Sequence, residues 1–181
     1  SRPASGVEHY FSHIWDMRSL QFGTNTSTHG IQCAIGTLYS VKIYDKIRKV
    51  LPNSENALKY VNEFDYSVYK EKLRSFMGKG AETMIALEEK EGKYDKNKHS
   101  ERLKIIESKW DEILKIIDEE IPSKETITNL LNRVGLPKTC DEIGIDSNVL
   151  LPTFKATKDI RDKYILSRLC FDLGIIDEIT F

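Results

Sequence analysis

Three histidines carry the spacing from which chemistry could be built. His9 and His13 stand four apart in EHYFSHIWDM, and His29 follows twenty residues after His9 in THGIQCAIGTL. A helix turns once every ~3.6 residues, so a helical His9 and His13 share one face, one above the other. If His29 opens a neighbouring helix, neutral imidazoles from two facing helix ends can converge on one divalent cation, with a third ligand from elsewhere. Structural histidines use the same spacing, so H-x3-H-x15-H-G by itself leaves both readings open.

The elements that must position these rings are helices. From Val7 to about Leu20 the residues Tyr10, Phe11, Ile14, Trp15 and Met17 keep helical spacing, until the polar QFGTNTSTHG interrupts them. A second helix is predicted from about Thr28 to about Val50 on Ile31, Ala34, Ile35, Leu38, Val41 and Ile47, with Pro52 closing the run. Gly30, Ala34 and Gly36 near its start would permit close backbone approach. Further on, PNSEN offers a cap before Ala57, YSVYKEKLRSFMGKG ends a helix at glycine, and AETMIALEEKEGK reads as a short successor.

The most regular segment, Asn97 to Glu120, repeats Leu103, Ile106, Trp110, Ile113 and Ile117 amid charge and is expected as one amphipathic helix. About two heptads are too few for a sustained coiled coil, which takes about three or four. His99, in the charge run YDKNKHSER, is expected to face solvent. Ser123 caps a helix in IPSKETITNLLNRVGLP that stops at Gly135 to Pro137. Pro152 marks a first turn or a kink, and a final helix is expected from about Lys158 to Leu173. No alternating run exceeds a few residues, so the class is all-α, a bundle of about seven or eight helices.

Bulk properties narrow the function. The 181 residues suit one domain with a real core. With 27 Lys plus Arg against 28 Asp plus Glu, no basic excess recruits nucleic acid. Cys33, Cys140 and Cys170 form no CxxC, which suits free thiols and a cytoplasmic location. No window has the roughly 18 apolar residues of a membrane span, and no secretory signal is visible. The chain opens without Met, directly on SRPASGVEH, as a piece of a longer protein would.

SRPASGVEHYFSHIWDM followed by THGIQCAIGTL resembles the glycerol-1-phosphate dehydrogenases, within the superfamily of glycerol dehydrogenases, iron-containing alcohol dehydrogenases and dehydroquinate synthases. LLNRVGLP and IRDKYILSRLCFDLG resemble the family's closing segments more loosely, so the likeness runs along nearly the whole chain. The resemblance implies that residues 1–181 are the helical, C-terminal metal- and substrate-binding domain of a two-domain enzyme whose N-terminal nucleotide-binding domain is absent from this chain. It makes His9 and His29 metal ligands and His13 the catalytic residue beside them, with the third ligand an aspartate of the other domain. Zinc is the metal expected, nickel or iron being open to the same donors.

By the same resemblance the reaction is the NAD- or NADP-dependent interconversion of sn-glycerol 1-phosphate and dihydroxyacetone phosphate. The metal would polarise the substrate oxygen and His13 would relay its proton. Arg2, a guanidinium suited to phosphate, and Ser5 beside it in SRPASG are assigned to the substrate. Glu8 either orients a histidine or caps the first helix. Tyr164 matches a closing motif or serves the core. No GxGxxG is present, so cofactor-binding residues are not assigned and the chain alone is expected to hold metal weakly and to be inactive. A related polyol dehydrogenase, a dehydroquinate synthase-like enzyme and a non-catalytic helical interaction module are the alternatives. Association into a homo-oligomer is open.

Overall fold

The protein is described over residues 6–181 by a computed structural model; Arg2 and Ser5 lie outside the described residues. Ten α-helices and three 3-10 turns make up its secondary structure, with no strand among the described residues. This is the all-α class that the helical periodicity implied. No helix there is long and apolar enough to cross a membrane.

The first helix, α1 (Val7–Phe22), starts where Glu8 turns back and its carboxylate accepts the Gly6 backbone N–H at 3.0 Å. Of the two roles open to Glu8, this is capping: it supplies a partner at a helix end short of them. Gly23, left-handed at φ 67°, closes the helix. Against it lies α2 (His29–Ile47). The expected close approach is made at Gly36, where a Cβ would stand 2.6 Å from the Glu8 carbonyl oxygen; Gly30 has open space around it.

Phe11 and Trp15 of α1 join Ile35, Tyr39 and Ile43 of α2 and Phe154 of α9 (Leu150–Thr157) in the main core. Each such side chain, fully buried, contributes about 1.5–3 kcal/mol, so this inner face fixes the two helices and leaves their outer polar ends free for other work. A smaller core joins Ile14 to Leu73 and Met77 of α4 (Tyr66–Met77), to Met84 and Ile85 of α5 (Gly80–Glu91), and to Ala156. Between α2 and α4, α3 (Ser54–Glu63) is capped by Asn53, whose side chain accepts the Asn56 N–H.

Three expectations change. Asn97 to Glu120 is two helices, α6 (Lys96–Ser108) and α7 (Trp110–Glu120), broken at Lys109 (φ −113°, ψ 11°). The apolar stripe runs through the break in phase, and Trp110 is held there by donating its indole N–H to the Val50 carbonyl at 3.2 Å.

The expected last helix is also interrupted. After α8 (Lys124–Arg133), capped by Ser123, α9 takes Pro152 in its first turn, and residues 158–165 form a non-helical turn before α10 (Leu166–Asp172). These breaks raise the helix number above seven or eight.

Finally, His99 does not face solvent. It is 1% exposed, and its Nε2–H donates at 2.9 Å to the Asp172 carbonyl, one of the unpaired oxygens at the end of α10. Its burial follows the stripe Leu103 and Ile106 one turn back. Tyr164 is half exposed, outside the core, and donates its hydroxyl to Asp172 at 3.0 Å.

Candidate metal centre

Helical spacing puts His9 and His13 on the α1 face toward the start of α2, and His29 is the first residue of α2. All three rings meet there. His9 Nε2 is 2.8 Å from His13 Nε2, and His9 Nδ1 is 3.2 Å from His29 Nε2. The His9 ring thus stands between the other two, with centroids 4.4 Å from His13 and 4.7 Å from His29.

The second nitrogen of His29 is anchored. Nδ1 lies 2.7 Å from Ser12 Oγ and 4.0 Å from an Asp16 carboxylate oxygen. Asp16 is itself held by the Gln32 side-chain amide (2.7 Å) and the Thr26 hydroxyl (3.0 Å), and Gln32, fully buried, also donates to the Ser27 carbonyl. The loop between α1 and α2 is thereby tied to both helices, and ring orientation at His29 is set by hydrogen bonds behind it.

A fourth side chain enters from α2. Cys33, one turn after His29, brings Sγ to 3.5 Å from His29 Nε2 and 3.9 Å from His9 Nδ1. His9, His29 and Cys33 together offer three donor atoms within 4.8 Å of one another. Cys33 reads in sequence as an ordinary free thiol, yet His29-x3-Cys33 has the same one-turn spacing as His9-x3-His13, and that was the available signal. Ser12, Asp16 and Gln32 had none, because their roles depend on the loop's path.

Burial lowers the pKa of His13, with His9 and His29 adding to the effect. Burial pushes the Cys33 thiol up. A cavity of about 920 Å³ lies elsewhere, lined by α4, the end of α3 and α9, and contains none of the three histidines.

Against known proteins, no family model matches the chain and no solved structure matches it significantly. Curated relatives do match. A glycerol-1-phosphate dehydrogenase [NAD(P)+] of Methanococcus maripaludis is 39% identical over 88 residues, covering 41% of this chain and 26% of that protein. One from Korarchaeum cryptofilum is 58% identical over 38 residues (21% of this chain, 12% of that protein), and one from Halalkalibacterium halodurans 28% identical over 135 residues (75% and 24%). Over these stretches the chain is similar to the glycerol-1-phosphate dehydrogenases. It spans about a quarter or less of the length of the curated relatives it matches.

Proposed function

We propose that this chain is the metal- and substrate-binding part of an NAD(P)-dependent enzyme interconverting sn-glycerol 1-phosphate and dihydroxyacetone phosphate. The observation that carries the reading is the convergence of His9 and His29 from two helices, each presenting one ring nitrogen to a shared point. The relatives' names supply the reaction.

The donors fit a divalent cation such as zinc. Two imidazole nitrogens and a thiol lie within 4.8 Å of one another, and the ring nitrogens facing away have partners of their own, as ligating histidines require. His29 would ligate through Nε2, leaving Nδ1–H to donate to Ser12; His9 would ligate through Nδ1, leaving Nε2–H to donate to His13. Such a cation, when bound, supplies Lewis acidity toward the substrate's alcohol or carbonyl oxygen.

His13 has the proton-handling role. With Nε2 accepting from His9, neutral His13 carries its hydrogen on Nδ1; a proton from the substrate would be taken at Nε2 as the bond to His9 opens, and the Nδ1 proton would pass on to solvent. Asp16 and Ser12 hold His29 in place and touch no reacting atom. The dinucleotide would be held by a nucleotide-binding domain outside this chain, which would also contribute the carboxylate ligand. Arg2 and Ser5 would meet the substrate phosphate.

Steady-state reduction of dihydroxyacetone phosphate with NADH and NADPH, beside oxidation of glycerol and long-chain alcohols, tests the reading on the protein that joins this chain to its nucleotide-binding part. Preference for the phosphorylated substrate is expected. Efficient turnover of glycerol or a long-chain alcohol instead would move the chain to another branch of the superfamily.

A further inference from the structure

We propose that Cys33 is a third protein ligand to the cation, so that this chain by itself holds the metal with two imidazoles and a thiolate. The inference rests on the metal site above and deepens it.

The distances make the case. Tetrahedral zinc with bonds of about 2.0–2.1 Å to nitrogen and about 2.3 Å to sulfur sets its ligand atoms about 3.3 Å apart for two nitrogens and about 3.6 Å for nitrogen and sulfur. The three donors stand at 3.2 Å for His9 Nδ1 to His29 Nε2, and at 3.5 and 3.9 Å from Cys33 Sγ to those nitrogens. All three edges of the triangle match the spacing of ligands around one ion. A hydrogen-bonded pair would require only one of them.

The scaffold holds the triangle in place. His29 and Cys33 are one turn apart on a single helix, so their relation is fixed by helix geometry. His9 is fixed against them by the close approach of α1 to α2 at Gly36. Cys33 is half buried, whereas Cys140 and Cys170 are fully buried in the main core. A thiolate favours zinc and cobalt over hard cations, and on binding the thiol proton leaves to solvent. With the carboxylate of the nucleotide-binding part in the fourth position, the substrate oxygen would enter as a fifth ligand.

Cobalt(II) titration of the 181-residue chain tests the proposal, because thiolate ligation has its own near-ultraviolet charge-transfer band. The wild type should develop that band to one equivalent. Cys33→Ser should bind cobalt without it and, since loss of a mere outer partner weakens metal affinity about 10–100-fold, should bind zinc at least tenfold more weakly.

Cobalt bound by wild type with no thiolate band, and equal zinc affinity in Cys33→Ser, would overturn the Cys33 assignment while leaving the histidine site standing. No binding of cobalt or zinc by folded wild type, checked by circular dichroism, would overturn the metal reading and the proposal with it. If Cys33→Ser does not fold, the wild-type spectrum decides, together with mass-spectrometric alkylation. Zinc should protect Cys33 from iodoacetamide, and unchanged modification with zinc bound counts against ligation.

Discussion

Two polar clusters divide the chemistry of this molecule, and they are built on opposite plans. At the α1–α2 end, His9, His29 and Cys33 turn donor atoms toward one another at a partly open surface, with the nearest carboxylate, Asp16, only at 4.0 Å from His29. Between α5, α9 and α10 the plan is reversed. Lys158, Asp159, Arg168 and Glu88 are at most 2% exposed and balance to zero charge. Arg168 Nη2 donates to Asp159 at 3.0 Å and to Glu88 at 2.8 Å, Lys158 donates to Asp159 at 3.0 Å, and the Tyr69 and Tyr94 hydroxyls donate to the same carboxylate. One cluster is left incomplete and accessible, as a site is. The other is nearly closed on itself, as a structural network is.

Breaking the closed cluster should have the largest effect. Arg168→Met leaves two buried carboxylates with one buried cation, and removing one partner of a buried ion pair costs about 3–5 kcal/mol. Urea unfolding followed by circular dichroism is expected to show a loss of that size, or no folded protein. A loss below about 1 kcal/mol would mean that water reaches these groups.

Gly36→Ala comes next and bears on the open cluster. The added methyl meets the Glu8 carbonyl oxygen at 2.6 Å, backbone that cannot swing aside, so α1 must move from α2. Overpacking of this kind costs about 1–3 kcal/mol. Because the same contact sets His9 against His29 and Cys33, zinc affinity measured calorimetrically should fall with stability. Unchanged affinity would show that the site adjusts independently of the helix spacing.

A smaller effect is expected from pH. Burial lowers Lys158 from its ordinary 10.5 to about 8, against the pull of Asp159. Between these values the unfolded chain binds the proton and the folded one does not, so stability rises with pH as the penalty of a buried ammonium disappears. Raised phenol pKa values at Tyr69 and Tyr94, caused by burial and by Asp159, act in the opposite direction once unfolded tyrosines ionise near pH 10. The Lys158 contribution amounts to about 1 kcal/mol from pH 8 to 9, and it is opposed there by the buried thiols of Cys140 and Cys170, which burial keeps protonated while unfolded cysteines ionise near pH 8.5. Urea unfolding of wild type and Lys158→Met at the two pH values isolates it: the change from pH 8 to 9 should be about 1 kcal/mol more favourable in the wild type than in the variant.

The same contrast explains what could be read from sequence. His9 and His13 lie one turn apart in the first half of α1 and His29 opens α2, so helical geometry alone indicated where they could meet. Glu88, Asp159 and Arg168 are far apart in the chain and of types that ordinarily face water, and no local pattern joins them. Lys158 and Asp159 were expected within the last helix. The turn at 158–165 that carries them inward is specified by Tyr69 on α4, Arg168 on α10 and Tyr94, and not by neighbouring residues. His99 was misplaced for a similar reason: its charged neighbours describe the outer face of α6, while its own position continues the buried stripe. Arg2 and Ser5, outside the described residues, rest on resemblance alone.

The smallest expected effect on stability is the most informative about function. His29 is exposed at the first position of α2, and its ring loses little beyond the contact with Ser12 when it is removed. His29→Ala should therefore change the unfolding free energy without metal by no more than about 0.5 kcal/mol, the scale of surface substitutions. With zinc at about 100 times its dissociation constant the wild type should gain about 2.7 kcal/mol, and the variant should gain little of it, since binding to the folded state alone is what stabilises. A structural histidine would behave the other way, costing stability without metal and leaving the zinc response intact. Paired melts with zinc and with chelator therefore decide whether the open cluster is a site or only a second, less finished version of the closed one.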